Sequence, residues 1–181
     1  MDYDIVEDLR NVMLNKLIKL ELSTNEGIIL DKQLHPYEYL QQLTISLQTL
    51  NDLFILFDGL LPNLVVLNAN ICQSNTYKRT SIFRCWPRRF MSHLVEFQLK
   101  TNANVEMTFD QIRRIVMPLI QLEKLMIDVS KWFSYDQQFV QGNQIEMLIN
   151  EFMPRLRHFH CSIKTIYNIE MQVKIVLYLY E

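Results

Sequence analysis

His158 and His160 stand two residues apart. On an extended strand alternate side chains share a face, so both imidazoles would point the same way, a spacing that can hold a metal ion. A third ligand would have to come from the neighbouring strand. The residues set opposite there, Lys124 and Met126, are poor ligands, and no metal site is expected. Cys85 or Cys161 with a histidine would make a nucleophile pair. Cys161, however, falls at an inward-facing strand position and reads as a small core residue. The only glycines are Gly27, Gly59 and Gly142, which leaves no phosphate-cradling loop, dinucleotide fingerprint or Gly-x-Ser-x-Gly elbow. With no nucleophile–base–acid set visible, the chain is expected to bind rather than catalyse, and to need no cofactor.

Two further runs bear on binding. Arg84-Cys85-Trp86-Pro87-Arg88-Arg89-Phe90 interleaves cations with rings, a composition that can stack bases and neutralise phosphates. Its plainer reading is an exposed connector with Trp86 and Phe90 tucked onto the core. Trp132, Phe133 and Tyr135 suit an interface anchor or packing beneath a long connector. A net charge of −2 over 181 residues gives no bulk case for nucleic acid or anionic lipid. Three irregularly spaced cysteines, Cys72, Cys85 and Cys161, read as free thiols of a reducing compartment, the cytoplasm, with the nucleus as the alternative. The acidic start Met1-Asp2-Tyr3-Asp4 lacks the pattern of a signal peptide. The most apolar window, Leu53 to Leu67, is broken by Asp58, Pro62 and Asn63, so no membrane span is expected.

The elements that position these residues follow from a repeat. The template Leu-x-x-Leu-x-Leu, with apolar substitutes, fits six times, starting at Leu17, Leu40, Leu64, Leu94, Leu122 and Leu156. The periods are 23, 24, 30, 28 and 34 residues. Leucine-rich repeats run about 20–29 residues, so the later copies carry insertions. Between the strands lie helical signals. Leu53, Phe57 and Leu60 make a stripe that Pro62 should terminate. Thr108 with Gln111 reads as a capping box before Ile112, Ile115, Val116 and Leu119. Asn143 with Glu146 repeats that arrangement before Leu148, Ile149 and Phe152. The joint Leu61-Pro62-Asn63-Leu64 recurs as Met153-Pro154-Arg155-Leu156, and in stretched form after Met117-Pro118. Ile5, Leu9 and Met13 suit a capping helix over 1–16. Residues 163–181 should close the last repeat, as strand or helix; periodicity does not decide between them.

The expected fold is thus α/β: a solenoid of right-handed βα repeats over 17–162, with a parallel sheet on the concave face and helices on the convex one. The template leucines point inward, and the residues between them point outward in columns. One column reads Lys19, Gln42, Val66, Glu96, Lys124, His158. The next reads Glu21, Thr44, Asn68, Gln98, Met126, His160. A third, just past each strand, reads Ser23, Ser46, Asn70, Lys100, Asp128, Ser162. These columns are the expected partner-binding surface, roughly 800 Å² in extent, the size of a typical half-interface. Their mixture of charge, amide, hydroxyl and apolar groups suits a protein or peptide. The alternative partner is nucleic acid, held by the basic-aromatic run 84–90. Asn70 falls where leucine-rich repeats place an asparagine that bonds the turning backbone of the next repeat.

On these helix-Pro-x-Leu-x-x-Leu-x-Leu cassettes and stretched periods, residues 17–161 resemble the leucine-rich-repeat region of F-box-type substrate receptors. The resemblance implies repeats that hold a substrate for a cullin-based ubiquitin ligase. In that family a separate N-terminal F-box binds the adaptor subunit. Residues 1–16 are too few for one and lack its Leu-Pro opening, so contact with an adaptor would need an F-box upstream.

Overall fold

The structure is a computed structural model that describes residues 17–30, 36–73, 91–132, 143–167 and 169–178. Six parallel strands stand side by side: β1 (Lys19–Leu22), β2 (Gln42–Leu47), β3 (Val66–Ile71), β4 (Glu96–Thr101), β6 (Lys124–Val129) and β8 (His158–Tyr167). A seventh, β9 (Ile169–Tyr178), folds back antiparallel on β8. Two-residue strands β5 (Glu106–Met107) and β7 (Lys131–Trp132) pair separately, in parallel. Parallel neighbours cannot be joined by a tight turn and need a crossover. Among the described residues three helices supply crossovers: α1 (Leu50–Phe57) between β2 and β3, α2 (Phe109–Val116) between β4 and β6, and α3 (Asn143–Phe152) between β7 and β8.

The strands form because period-two alternation gives each one apolar face. Leu43 and Ile45, Leu67 and Ala69, Phe97 and Leu99, Leu125 and Ile127, and Phe159 and Cys161 are all buried. They share one continuous cluster with Leu53 and Phe57 of α1, Ile112 and Ile115 of α2, and Ile145 and Ile149 of α3. The anchor leucines Leu64, Leu94 and Leu122 are fully enclosed. Each closes the same turn before its strand: Leu64, Leu94, Leu122 and Leu156 donate their N–H to the carbonyls of Leu61, Met91, Leu119 and Met153. Pro62 and Pro154 sit at the second turn position, where their fixed φ is preorganised. Past each anchor one carbonyl accepts two N–H groups from the next strand. Ile18 receives Gln41 and Gln42, Gln41 receives Val65 and Val66, Val65 receives Val95 and Glu96, Val95 receives Glu123 and Lys124, and Glu123 receives Arg157 and His158.

The helix starts are set by side chains. In α2 the box is reciprocal: Thr108 N donates to Gln111 Oε1 at 2.8 Å, and Gln111 N donates to Thr108 Oγ1 at 3.3 Å. In α1, Thr49 N and Thr49 Oγ1 both donate to Asp52 Oδ2, at 2.9 and 2.7 Å. The other oxygen of this buried carboxylate accepts Leu30 N at 2.9 Å and ties the β1–β2 connection to the helix.

Several expectations are corrected. Pro62 does not terminate α1, which stops at Phe57, followed by Asp58 and by Gly59 at φ +92°. The left-handed glycine turns the chain first. Asn143 is the first residue of α3 rather than its cap. Leu22 is 38% exposed at the sheet edge, not core, and Leu20 is half-buried. Of the two forms left open for the region after Cys161, strand is the one observed, and β8 itself runs on through Tyr167 before the hairpin. The expected helix over 1–16, the basic-aromatic run 84–90, and Phe133 and Tyr135 lie outside the described residues. No helix among the described residues is long and apolar enough to cross a membrane.

Candidate functional site

The outward strand positions line up in the expected columns. Lys19, Gln42, Val66, Glu96, Lys124 and His158 are successive register partners, as are Glu21, Thr44, Asn68, Gln98, Met126 and His160. With neighbouring strands about 4.8 Å apart, six span roughly 25 Å. In the first column Lys19, Gln42 and His158 are exposed, and Val66, Glu96 and Lys124 are half-buried. In the second, Glu21 is exposed and the rest are half-buried. The third column differs from its expected display. Asn70, Lys100 and Asp128 remain accessible, but Ser46 and Ser162 are buried at 5% and 9% exposure. β9 extends the face by another strand, bringing Tyr178, Val176 and Lys174 into register with His158, His160 and Ser162. Sequence periodicity alone does not decide that strand.

Contacts within the face run across strands. Lys124 Nζ lies 3.2 Å from Glu96 Oε2, and Asn68 Nδ2 donates to Thr44 Oγ1 at 3.2 Å. The hydroxyls of Ser23 and Ser46 are 3.5 Å apart. Among the described residues Asn70 makes no bond to the backbone of the next repeat; its amide donates to Cys72 Sγ at 3.7 Å. The link to the next strand is made one position later, in β4. There Thr101 Oγ1 accepts Ser130 N at 2.9 Å, and Ser130 Oγ donates to the Thr101 carbonyl at 2.6 Å.

Among the described residues, the side chains with catalytic or ligating chemistry are not brought together. His158 and His160 share the face, and across from them stand Lys124 and Met126. Among the described residues no group of three His, Cys, Asp or Glu side chains is placed to hold a metal. His160 Nε2 is enclosed and makes no hydrogen bond. Burial and the nearby Asp128 carboxylate push the Cys161 thiol up to about 12. Burial also raises Cys72, partly offset by a hydrogen bond with Ser46. Both thiols therefore stay protonated near neutrality, the opposite of an activated nucleophile. Trp132 lies in β7 beside Met107.

Among the described residues the helical side has a groove of about 260 Å³ between α2 and α3. Phe109, Gln144, Met147 and Phe152 line it, with the Arg113 guanidinium 5.8 Å from the centre of the Phe152 ring.

Protein-family models, curated proteins and solved structures were all compared with this chain, and none matches.

Proposed function

We propose that this chain is a leucine-rich-repeat solenoid that binds a protein or peptide along the outward columns of its parallel sheet. The observation that carries the reading is the unbroken register of Lys19 to His158 and Glu21 to His160 across six strands. Parallel sheets ordinarily have both faces covered and continuously apolar strands. Here apolar and polar positions alternate, which supports a sheet used on one side as a surface. Strand periods near those of leucine-rich repeats support the same architecture. The proposed action is binding rather than catalysis, with no cofactor, and the buried, protonated thiols suit the cytoplasm or nucleus. A narrower role, holding substrates for a cullin-based ubiquitin ligase, is supported by the family resemblance of the repeats; an adaptor contact would come through an F-box upstream.

The test is affinity capture with quantitative mass spectrometry. It compares the parent chain, a sheet-face variant (Val66→Arg with Asn68→Arg) and a helical-side variant (Arg113→Ala). At least one protein held by the parent and by Arg113→Ala should be lost from the sheet-face variant. If every captured protein is retained by that variant, the reading is wrong.

A further inference from the structure

Resting on that reading, we infer that the partner is presented as an uncharged, extended peptide segment whose main chain, not its charges, is what the face reads. The first support is electrostatic. The six parallel strands carry three cations on the outward columns, Lys19, Lys100 and Lys124, and three anions, Glu21, Glu96 and Asp128. On these columns they sum to zero, with Lys174 of β9 added only at the far edge of the sheet, and they stand beside one another: Lys19 with Glu21 on β1, Glu96 with Lys124 at 3.2 Å, and Lys100 with Asp128 as register partners. Neighbouring opposite charges cancel beyond a few ångströms in salt solution, so the face projects no field of one sign to attract a charged partner.

The second support is the chemistry of the middle of the face. Gln42, Thr44, Asn68, Asn70 and Gln98 occupy β2 to β4 around Val66, and none carries a charge. Their hydrogen-bonding capacity is largely unspent. Asn68 gives one amide hydrogen to Thr44 and keeps the other, together with its carbonyl oxygen. Gln98, its register partner, forms no hydrogen bond among the described residues and keeps both donors and its acceptor. A primary amide offers N–H and C=O side by side. An extended residue offers its own C=O and N–H on one edge, as in a narrow antiparallel pair. The two match donor to acceptor, whatever side chain the peptide residue bears. Bases or phosphates would call for a net positive surface, and an aromatic or sugar ligand for exposed rings; the middle of the face has neither.

The experiment pans a phage-displayed library of random dodecapeptides on the full chain, then measures synthetic copies of the selected peptides by calorimetry. Selected peptides should be depleted in Asp, Glu, Lys and Arg relative to the input. Their Kd should change less than about twofold between roughly 50 and 500 mM salt. Gln98→Ala and Gln98→Glu, both with unchanged melting temperature, should each weaken binding about tenfold. N-methylating one central peptide amide should do the same. Selection of charged peptides with steep salt dependence would overturn the inference while keeping the sheet face as the binding surface. So would peptides released by Val66→Arg but indifferent to Gln98→Ala. If no peptide is selected, or if every selected peptide also binds the Val66→Arg variant, the underlying reading fails and the inference with it.

Discussion

The ring of Phe57, at the last residue of α1, meets the ring of Phe97, in β4, edge to face, with centroids 5.9 Å apart and planes at 69°. Both are essentially inaccessible to solvent. The pair joins one crossover helix to a strand two positions along the sheet, so it stitches successive repeats rather than stabilising one. Phe97→Ala should cost about 3–5 kcal/mol in urea unfolding. A cycle of Phe57→Leu and Phe97→Leu should show a coupling of about 0.5–1.5 kcal/mol beyond burial. Strict additivity of the two would show that the ring geometry contributes nothing.

Asp52 holds three donors from two segments, and it is buried. Asp52→Ala would strand Leu30 N and Thr49 N, and should destabilise the chain by roughly 2–4 kcal/mol. Asp110→Ala breaks an exposed i,i+4 pair with Arg114 at 2.8 Å and should cost less than about 0.5 kcal/mol. Equilibrium denaturation of the two variants side by side checks the contrast; equal losses would refute the tie between Leu30 and α1.

Gly27 has φ +81°, and a Cβ there would collide with the backbone of Leu47 and Gln48. The close approach lets Ile28 bridge to β2, donating to the Ser46 carbonyl at 2.8 Å and accepting from Gln48 N at 2.9 Å. Gly27→Ala therefore carries both left-handed strain and a backbone clash, and should cost more than about 2 kcal/mol. Protection of the Gln48 amide from hydrogen exchange should fall with it. A melting temperature equal to that of the parent would contradict the clash.

Burial, and after it the Asp128 carboxylate, push the Cys161 thiol from the ordinary thiol range near 9.0 up to about 12. Folding therefore favours the protonated form. The associated stability is whole below pH 9 and is lost as pH rises toward 12, because the unfolded chain gives up its proton first. Stability should decline across that window, and the decline should be shallower in Cys161→Ala. At pH 8 a thiol reagent should reach Cys161 only after unfolding. Rapid alkylation of the native protein would contradict this.

Much of the sheet was legible because its information lies in side chains. The spacing Leu64, Leu67, Ala69 places three residues inward and Val66, Asn68 outward, and the structural register keeps that assignment on every strand from β2 to β8. The capping box at Thr108 and Gln111 was legible for the same reason. What escaped was carried by the main chain or by long-range neighbours. The doubly accepting carbonyls of Gln41, Val65, Val95 and Glu123 impose no residue type, so they leave no trace in composition. Asp52 resembles any first-turn acid until Leu30 arrives from outside the helix. Leu22 fits the template but stands at the sheet edge, where a matching pattern does not ensure burial. The strand β9 fits two periods equally well, and its pairing with β8 decides between them.

The β8–β9 hairpin also governs how this sheet could be lengthened by design. A further parallel strand cannot dock against β8, because β9 already takes its free side with ten registered residue pairs. A new cassette is better spliced inside the array, for instance between β4 and β6. There the Val95 carbonyl already accepts two N–H groups from the next unit, and the incoming one has only to repeat the Leu-x-x-Leu-x-Leu grammar. The hairpin thus works as a fixed terminus for engineering, and the interior joints are where further strands can be inserted.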